Sequence, residues 1–353
     1  MLKRRLGKKA IRQSGANVAV VGASGMVGKE LIRILEARNF PVADFAAFSS
    51  GKKSKTIVFK RKKYICKRPV FDSLKRFDIV FFASTDEISR RFAKKLAESG
   101  VWCIDDSSAF RLDPKVPLVI PEINGHEIKP SKRLLAGPNC TLTGIAVAGV
   151  LIHKKYRINN LRISTYQAVS GAGRDALRQF DREMRNWLRS GRMPRGGGKI
   201  LPHPIAFNLF PQVGGFDEHG RSVEENKIRD ELRKIWNAPD LKISSTAVRA
   251  PVLRGHSLSV WIETEKKWKL ADIKKLLSRT RGLKFYENPY EYPVPLGIER
   301  APEVKAGRLR KSETGANEMQ LWIVSDNLCK GAALNSVQIA EQIIKNKRIE
   351  NSE

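Results

Sequence analysis

The stretch ANVAVVGASGMVGKELIRILEARNF, residues 16–40, decides the fold. ANVAVV is short, apolar and rich in valine, and it reads as a buried strand ending on Gly22. GMVGKELIRILEARNF then takes a helical period, with Val27, Leu31, Ile34 and Leu35 on one face. GASGMVG (22–28) joins the two. Three glycines at this spacing, Gly22 and Gly25 among them, permit a tight turn and a close backbone approach, and the helix N-terminus then faces a pyrophosphate. A plain glycine-rich turn is the simpler reading of the same residues. The position directly behind a buried strand favours a dinucleotide loop.

Outward from this unit the alternation continues. DFAAFSS (44–50), FDIVFFAST (77–85) and VWCIDDSS (101–108) read as strands, LVIPEIN (118–124) as a further one, and DEISRRFAKKLAESG (86–100) as a helix. Strands alternating with helices imply a parallel, doubly wound sheet. The texture changes near residue 140. LRISTYQAVSG (161–171), LKISSTAVRAPV (241–252) and HSLSVWIET (256–264) are strand-like, and the charged helix DALRQFDREMRNWLRSG (175–191) lies between the first two. GGGKILPHP (196–204) reads as a loop and GLKFYENPYEYPVP (282–295) as extended chain. KGAALNSVQIAEQIIKNK (330–347) is helical, with Leu334, Val337 and Ile344 on one stripe. The expected class is therefore α/β, a Rossmann-like parallel-sheet domain followed by an α+β domain with a mixed sheet. Expected boundaries are 1–139 for the first domain, completed by helix 330–353, and 140–329 for the second. Residues 1–15 are expected to be a disordered basic arm.

GPNCTL (137–142) sets Cys140 at the head of the apolar run TLTGIAVAGV (141–150). A helix N-terminus favours a thiolate there, and RGHS supplies His256 as a candidate base. A buried cysteine packed as a small hydrophobe is the bland alternative. The other cysteines, Cys66, Cys103 and Cys329, are far apart and form no CxxC or Cys/His spacing, so no zinc site and no disulfide frame is expected. Cys103 reads as core, and Cys66 and Cys329 lie in basic surroundings that would make them mildly reactive. His126, His153, His203 and His219 read as surface or loop residues. No apolar run reaches the roughly 20 residues of a membrane span, and the amino terminus lacks an apolar signal core, so a cytoplasmic location is expected.

The net charge of +30 makes nucleic acid the first partner to consider. The cations are spread through every segment, with only small clusters such as KRKK at 60–63, and no nucleic-acid motif occurs. A diffuse cationic surface or a site for anionic substrates is the preferred reading. After the second strand, SSGKKSK (49–55) holds no carboxylate for a ribose diol, whereas Ser49, Lys52 and Lys53 suit a 2′-phosphate. The expected cofactor is therefore NADP rather than NAD.

GASGMVG, DDSSAFR, VIPEIN, GPNCTL, YQAVSGAG, AFNLFPQVGGF, VEENK, VRAPVLRGHS and DNLCKGAALNSVQIAE occur in this order. Together they make the chain resemble bacterial aspartate-semialdehyde dehydrogenase over nearly its full length. The resemblance implies NADP-dependent oxidation of L-aspartate 4-semialdehyde with phosphate to 4-phospho-L-aspartate, and in cells the reverse reaction toward lysine, threonine and methionine. It implies Cys140 as nucleophile, His256 as acid/base and Gln167 as the group orienting substrate and thioester. By the same resemblance Arg249 clamps the substrate carboxylate, Glu224 and Lys227 serve substrate and phosphate, Arg111 binds phosphate, and Asn139 neighbours the nucleophile. Ser24, Gly25, Met26, Val27, Ser170, Gly171 and Gln338 match on the cofactor side, and a homodimer or homotetramer is implied. This chain departs from the family in three ways. The usual loop arginine after the second strand is replaced by GKK, NPNCS becomes GPNCT, and the basic arm and high charge are not family traits. N-acetyl-γ-glutamyl-phosphate and malonyl-CoA reductases share the architecture, and a non-catalytic nucleic-acid binder on this fold is the alternative from another class.

Overall fold

The computed structural model describes residues 15–51, 54–192, 196–198 and 200–350. The expected arm falls outside them save for Gly15, and so do Lys52 and Lys53. The chain divides into two compact units, residues 1–138 with 332–353, and residues 139–331. Among the described residues no helix is long and apolar enough to cross a membrane.

The first unit runs β1 (Ala16–Val21), α1 (Met26–Ala37), β2 (Val42–Phe48), β3 (Thr56–Phe59), β4 (Lys62–Ile65), α2 (Phe71–Leu74), β5 (Ile79–Phe82), α3 (Asp86–Glu98), β6 (Trp102–Asp105), α4 (Pro121–Asn124) and β7 (Leu134–Ala136). Its sheet is five-stranded and parallel, in the order β2-β1-β5-β6-β7. β1 is an interior strand, pairing Val18 with Phe45 on one side and Ile79 on the other, and its side chains are buried on both faces. That burial explains the near-continuous apolar run.

Two local readings are corrected. LVIPEIN is no strand: Leu118 makes one isolated bridge to Ala136, and Pro121 then opens helix α4. A proline lacks the N–H a strand needs but fits the first helical position. The fifth strand is the short β7 instead. The hairpin β3–β4 was not anticipated either. Its turn residues Lys60 and Arg61 take φ of 48° and 63°, which glycine or asparagine would ordinarily announce.

The second unit holds α5 (Leu142–Tyr156), β8 (Ile158–Gln167), α6 (Arg174–Ser190), α7 (Val223–Trp236), β9 (Lys242–Arg249), β10 (His256–Thr264), α8 (Leu270–Arg279), β11 (Leu283–Phe285), β12 (Val304–Lys311) and β13 (Glu318–Ser325). They build a mixed sheet in the order β11-β12-β13-β10-β8-β9, parallel at β8–β9 and β11–β12 and antiparallel elsewhere. α5 is apolar on all sides and is buried along nearly its whole length, packing on the sheet, α7 and α8. His153 corrects the surface reading: it lies buried on α5, stacked 5.0 Å from the Trp236 ring. Cys66 and Cys329 are likewise buried, so their basic sequence neighbours do not make them accessible. The closing helix α9 (Leu334–Glu350) belongs to the first unit, burying Leu334, Val337 and Ile344.

Candidate active site

Asn139 closes the end of α5. Its Oδ1 accepts the N–H groups of Thr141 (2.8 Å) and Leu142 (3.2 Å), and its carbonyl accepts Thr143 Oγ1 at 3.0 Å. A helix start leaves such N–H groups without intrahelical partners, and a capping side chain satisfies them. Asn139 is anchored in turn. Its N–H donates to Glu231 Oε2 (2.7 Å) and its Nδ2 to Glu224 Oε2 (3.0 Å). Cys140, next in the chain, is half-buried, and its Sγ lies 3.4 Å from His256 Nε2.

His256 opens β10 and is fully buried. Its Nδ1 accepts the backbone N–H of Ala168 at 3.0 Å. A ring nitrogen that accepts carries no proton, so the neutral ring holds its proton on Nε2 and turns a donor toward the sulfur. Burial, then the neighbouring Arg249 cation, push the His256 pKa down to about 3, so the ring stays neutral. The acid/base role expected of His256 needs a ring nitrogen facing the sulfur, and with Nδ1 engaged by the Ala168 N–H that nitrogen is Nε2.

Gln167 and Arg249 end the adjacent strands β8 and β9 in direct register. Arg249 Nη1 donates to the Ala168 carbonyl at 2.7 Å, whereas its buried Nε has no partner among the described residues. Burial lowers its pKa from the usual guanidinium value, opposed by Glu224 and Cys140. Glu224, one residue into α7, gathers three donors: Thr141 Oγ1 at 2.8 Å, Gln167 Nε2 at 3.1 Å and the Asn139 amide. α7 is held by a capping box between Ser222 and Glu225, and Glu225 Oε1 also accepts the Ala247 N–H of β9 at 2.9 Å. Lys227 stands one turn further along α7, and no ion pair joins it to Glu224 among the described residues.

The structure thus brings together Asn139, Cys140, Gln167, Glu224, Arg249 and His256. It adds residues that sequence reading missed. Glu231 is buried and follows Glu224 by seven residues, the spacing of one helix face, which was legible. Asp326 accepts a bidentate Arg254 guanidinium, and Asn327 Oδ1 accepts the Gly255 N–H at 2.9 Å and pairs with Ser170 Oγ. These two residues tie down the loop leading into His256. At Gly171 an added Cβ would sit 2.9 Å from Arg249 Nη1.

The glycine loop lies in the first unit. Gly22, Ser24 and Gly25 line a cavity of about 450 Å³ with Ser49, Ser50 and Ser84. Gly22 takes φ +85°, and a Cβ there would lie 2.0 Å from the Ala83 carbonyl oxygen. Gly25 caps α1 without a side chain, so the first-turn N–H groups face whatever occupies the cavity. Ser84 Oγ is buried without a hydrogen-bond partner among the described residues. Open backbone donors and an orphaned hydroxyl fit a dinucleotide. Met26 and Val27 begin α1 beside the cavity without lining it. Gln338 donates to Glu122 at 2.9 Å on the same unit and does not line it either. Arg111 is buried there, donating to the Asp106 carbonyl at 2.7 Å. Ser170 and Gly171 belong to the other unit.

Comparison with known proteins gives a consistent result. Residues 17–131 match the semialdehyde dehydrogenase NAD binding domain, and residues 150–330 the semialdehyde dehydrogenase dimerisation domain. The chain is 41% identical over 337 residues to aspartate-semialdehyde dehydrogenase of Aquifex aeolicus (strain VF5), covering 94% of this chain and 98% of that one. It is 38% identical over 340 residues to the Bacillus subtilis (strain 168) protein of the same name, with the same coverage. Among solved structures, aspartate semialdehyde dehydrogenase II from Vibrio cholerae superposes with a TM-score of 0.89 at 32% identity, covering 94% of this chain and 99% of that one. A second structure of that enzyme is complexed with ASA. With its cysteine–histidine pair at the head of α5 and its glycine loop behind β1, the chain belongs to the aspartate-semialdehyde dehydrogenase family of oxidoreductases.

Proposed function

We propose that the protein interconverts L-aspartate 4-semialdehyde plus phosphate with 4-phospho-L-aspartate through a Cys140 thioester, with NADP as redox partner. The observation that carries this reading is the 3.4 Å approach of Cys140 Sγ to His256 Nε2 beside the partnerless Arg249 Nε. An Nε2–H donor, a guanidinium and a helix N-terminus all suit a negative sulfur. The thiolate adds to the aldehyde carbon, and the π pair moves to oxygen. The Nε2–H of His256 is the donor for that oxyanion, help of a kind worth roughly 10²–10³ in rate. Gly22, Ser24 and Gly25 would hold NADP, which when bound would supply the hydride acceptor. Loss of hydride leaves the acyl group on sulfur as a thioester. A phosphate oxygen attacks the thioester carbonyl, the C–S bond breaks, and Cys140 regains its thiolate as acyl phosphate leaves.

The remaining groups follow from substrate charge. Arg249 offers the planar fork that matches the substrate carboxylate. Gln167, aligned by Glu224, orients the acyl group without adding charge. Lys227 and Arg111 are the cations assigned to phosphate, and Ser170, Gly171, Met26, Val27 and Gln338 the further groups assigned to the cofactor. Four free thiols suit a reducing cytoplasm, and the dimerisation domain of the family supports a homodimer. The pathway served is synthesis of lysine, threonine and methionine.

NADP reduction with semialdehyde and phosphate tests the reading. Cys140→Ala should lower turnover by roughly 10⁴-fold or more. Without phosphate, wild-type protein should give one burst and carry an acyl adduct on Cys140 detectable by intact mass. Wild-type turnover by Cys140→Ala would end the thioester reading.

A further inference from the structure

The loop after β2 has no arginine, yet the fold supplies one from elsewhere. Beyond the hairpin β3–β4 the chain returns to the end of β2. Lys67 bridges Phe48 in parallel, its N–H donating to the Ala47 carbonyl at 3.0 Å, while the Ser49 N–H donates to the Lys67 carbonyl at 2.9 Å. These bonds set the next residue, Arg68, beside Ser49 and Ser50 on the wall of the glycine-loop cavity. The Arg68 side chain passes over Gly51, where an added Cβ would meet its Cβ at 3.5 Å. No carboxylate pairs with Arg68 among the described residues. The cavity also contains Glu87, but that carboxylate stands in the first turn of α3, behind β5. β5 lies on the opposite side of β1 from β2, so Glu87 is on the far side of the cleft from Ser49. Arg91 follows it by one turn on the same helix and lines the cavity as well, so the α3 side carries one charge of each sign. The β2 side of the cavity is thus cationic and the α3 side close to neutral.

We propose that Arg68, brought in by the β3–β4 hairpin, is the residue that recognises the 2′-phosphate of NADP in this chain. The inference rests on the NADP reading above. A ribose 2′-phosphate at the end of the second strand needs a charged fork, and serine hydroxyls and backbone N–H groups complete its oxygens. The hairpin substitutes for the missing loop arginine by a different route through the fold.

Calorimetric binding to the full chain, with no turnover involved, tests this. The probes are adenosine 2′,5′-bisphosphate and adenosine 5′-monophosphate. The wild type should bind the bisphosphate more tightly. Arg68→Ala should weaken the bisphosphate by roughly 10- to 100-fold and leave the monophosphate unchanged, with Arg68→Lys recovering part of the loss. Unchanged monophosphate binding also reports an intact cavity. Retained bisphosphate preference in Arg68→Ala, with loss in Lys52→Ala instead, overturns the assignment. Equal weakening of both probes also overturns it, making Arg68 a general cavity wall. A wild type that cannot tell the probes apart removes the NADP reading itself.

Discussion

The two candidate sites are built by opposite means. Around Gly22 the chain withholds side chains: a glycine at φ +85°, a glycine N-cap, serines and an orphaned hydroxyl leave backbone donors open. Around Cys140 most polar neighbours are committed, the Arg249 Nε being the exception. Asn139, Thr141, Gln167 and Glu224 bond one another, and His256 is pinned through Nδ1. A cradle for a long ligand that comes and goes needs room and backbone dipoles. A site for covalent chemistry needs groups that do not move, because an ångström of misplacement costs rate. The first should fail through added bulk and the second through a lost partner.

Gly22→Ala is the larger of the two breaks. Positive φ disfavours any L side chain, and the new Cβ would meet backbone at Ala83, which cannot swing aside. Dinucleotide affinity measured by calorimetry should fall roughly 100-fold or more. Alkylation of Cys140 by iodoacetamide should keep its wild-type rate. If the alkylation rate changed as well, the two sites would not be separately built. Glu224→Gln is the converse. One acceptor oxygen becomes a donor facing donors, so at least one of Thr141, Gln167 and Asn139 loses its partner, at about 1–3 kcal/mol. The melting temperature and kcat should both drop, kcat by roughly tenfold. Adenosine 5′-monophosphate binding should not move.

The same contrast decided what could be read from sequence. The glycine loop is local. Gly22, Ser24 and Gly25 sit in one turn, and a strand before and a helix behind announce it. The Cys140 site draws on the turn before α5, the ends of β8 and β9, the start of β10, and α7. No periodicity links those segments. Cys140 and His256 were visible as chemistry, but their roles with Gln167, Arg249 and Glu224 came only through the family resemblance. The His256 proton position was beyond reach, because it depends on a backbone N–H 88 residues away. Arg68 escaped for a related reason. Two non-glycine residues at positive φ hid the hairpin that carries it to β2. Pro121 misled in the other direction, by sitting inside an apolar run that resembled a strand.

The smallest effects are in pH, where the two units should respond with opposite sign. His256 has a folded pKa of about 3 against 6.5 when exposed, mainly through burial. Between those values the unfolded chain binds the extra proton, so stability is full above pH 6.5 and is lost as pH falls toward 3. Asp106, in the first unit, has its pKa raised from 3.8 to about 7, again mainly by burial, with the Ser336 hydroxyl 2.5 Å away opposing the rise. There the native state holds the extra proton, so stability is lost as pH rises from about 4 through 7. Asp106→Asn cannot ionise. It should match the wild type at pH 4 and exceed it by about 1–3 kcal/mol at pH 8, in urea denaturation. His256→Asn should flatten the loss on the acid side and leave the alkaline side alone. A wild type less stable than Asp106→Asn at pH 4, but equal to it at pH 8, would reverse the assignment and require Asp106 to be ionised in the fold.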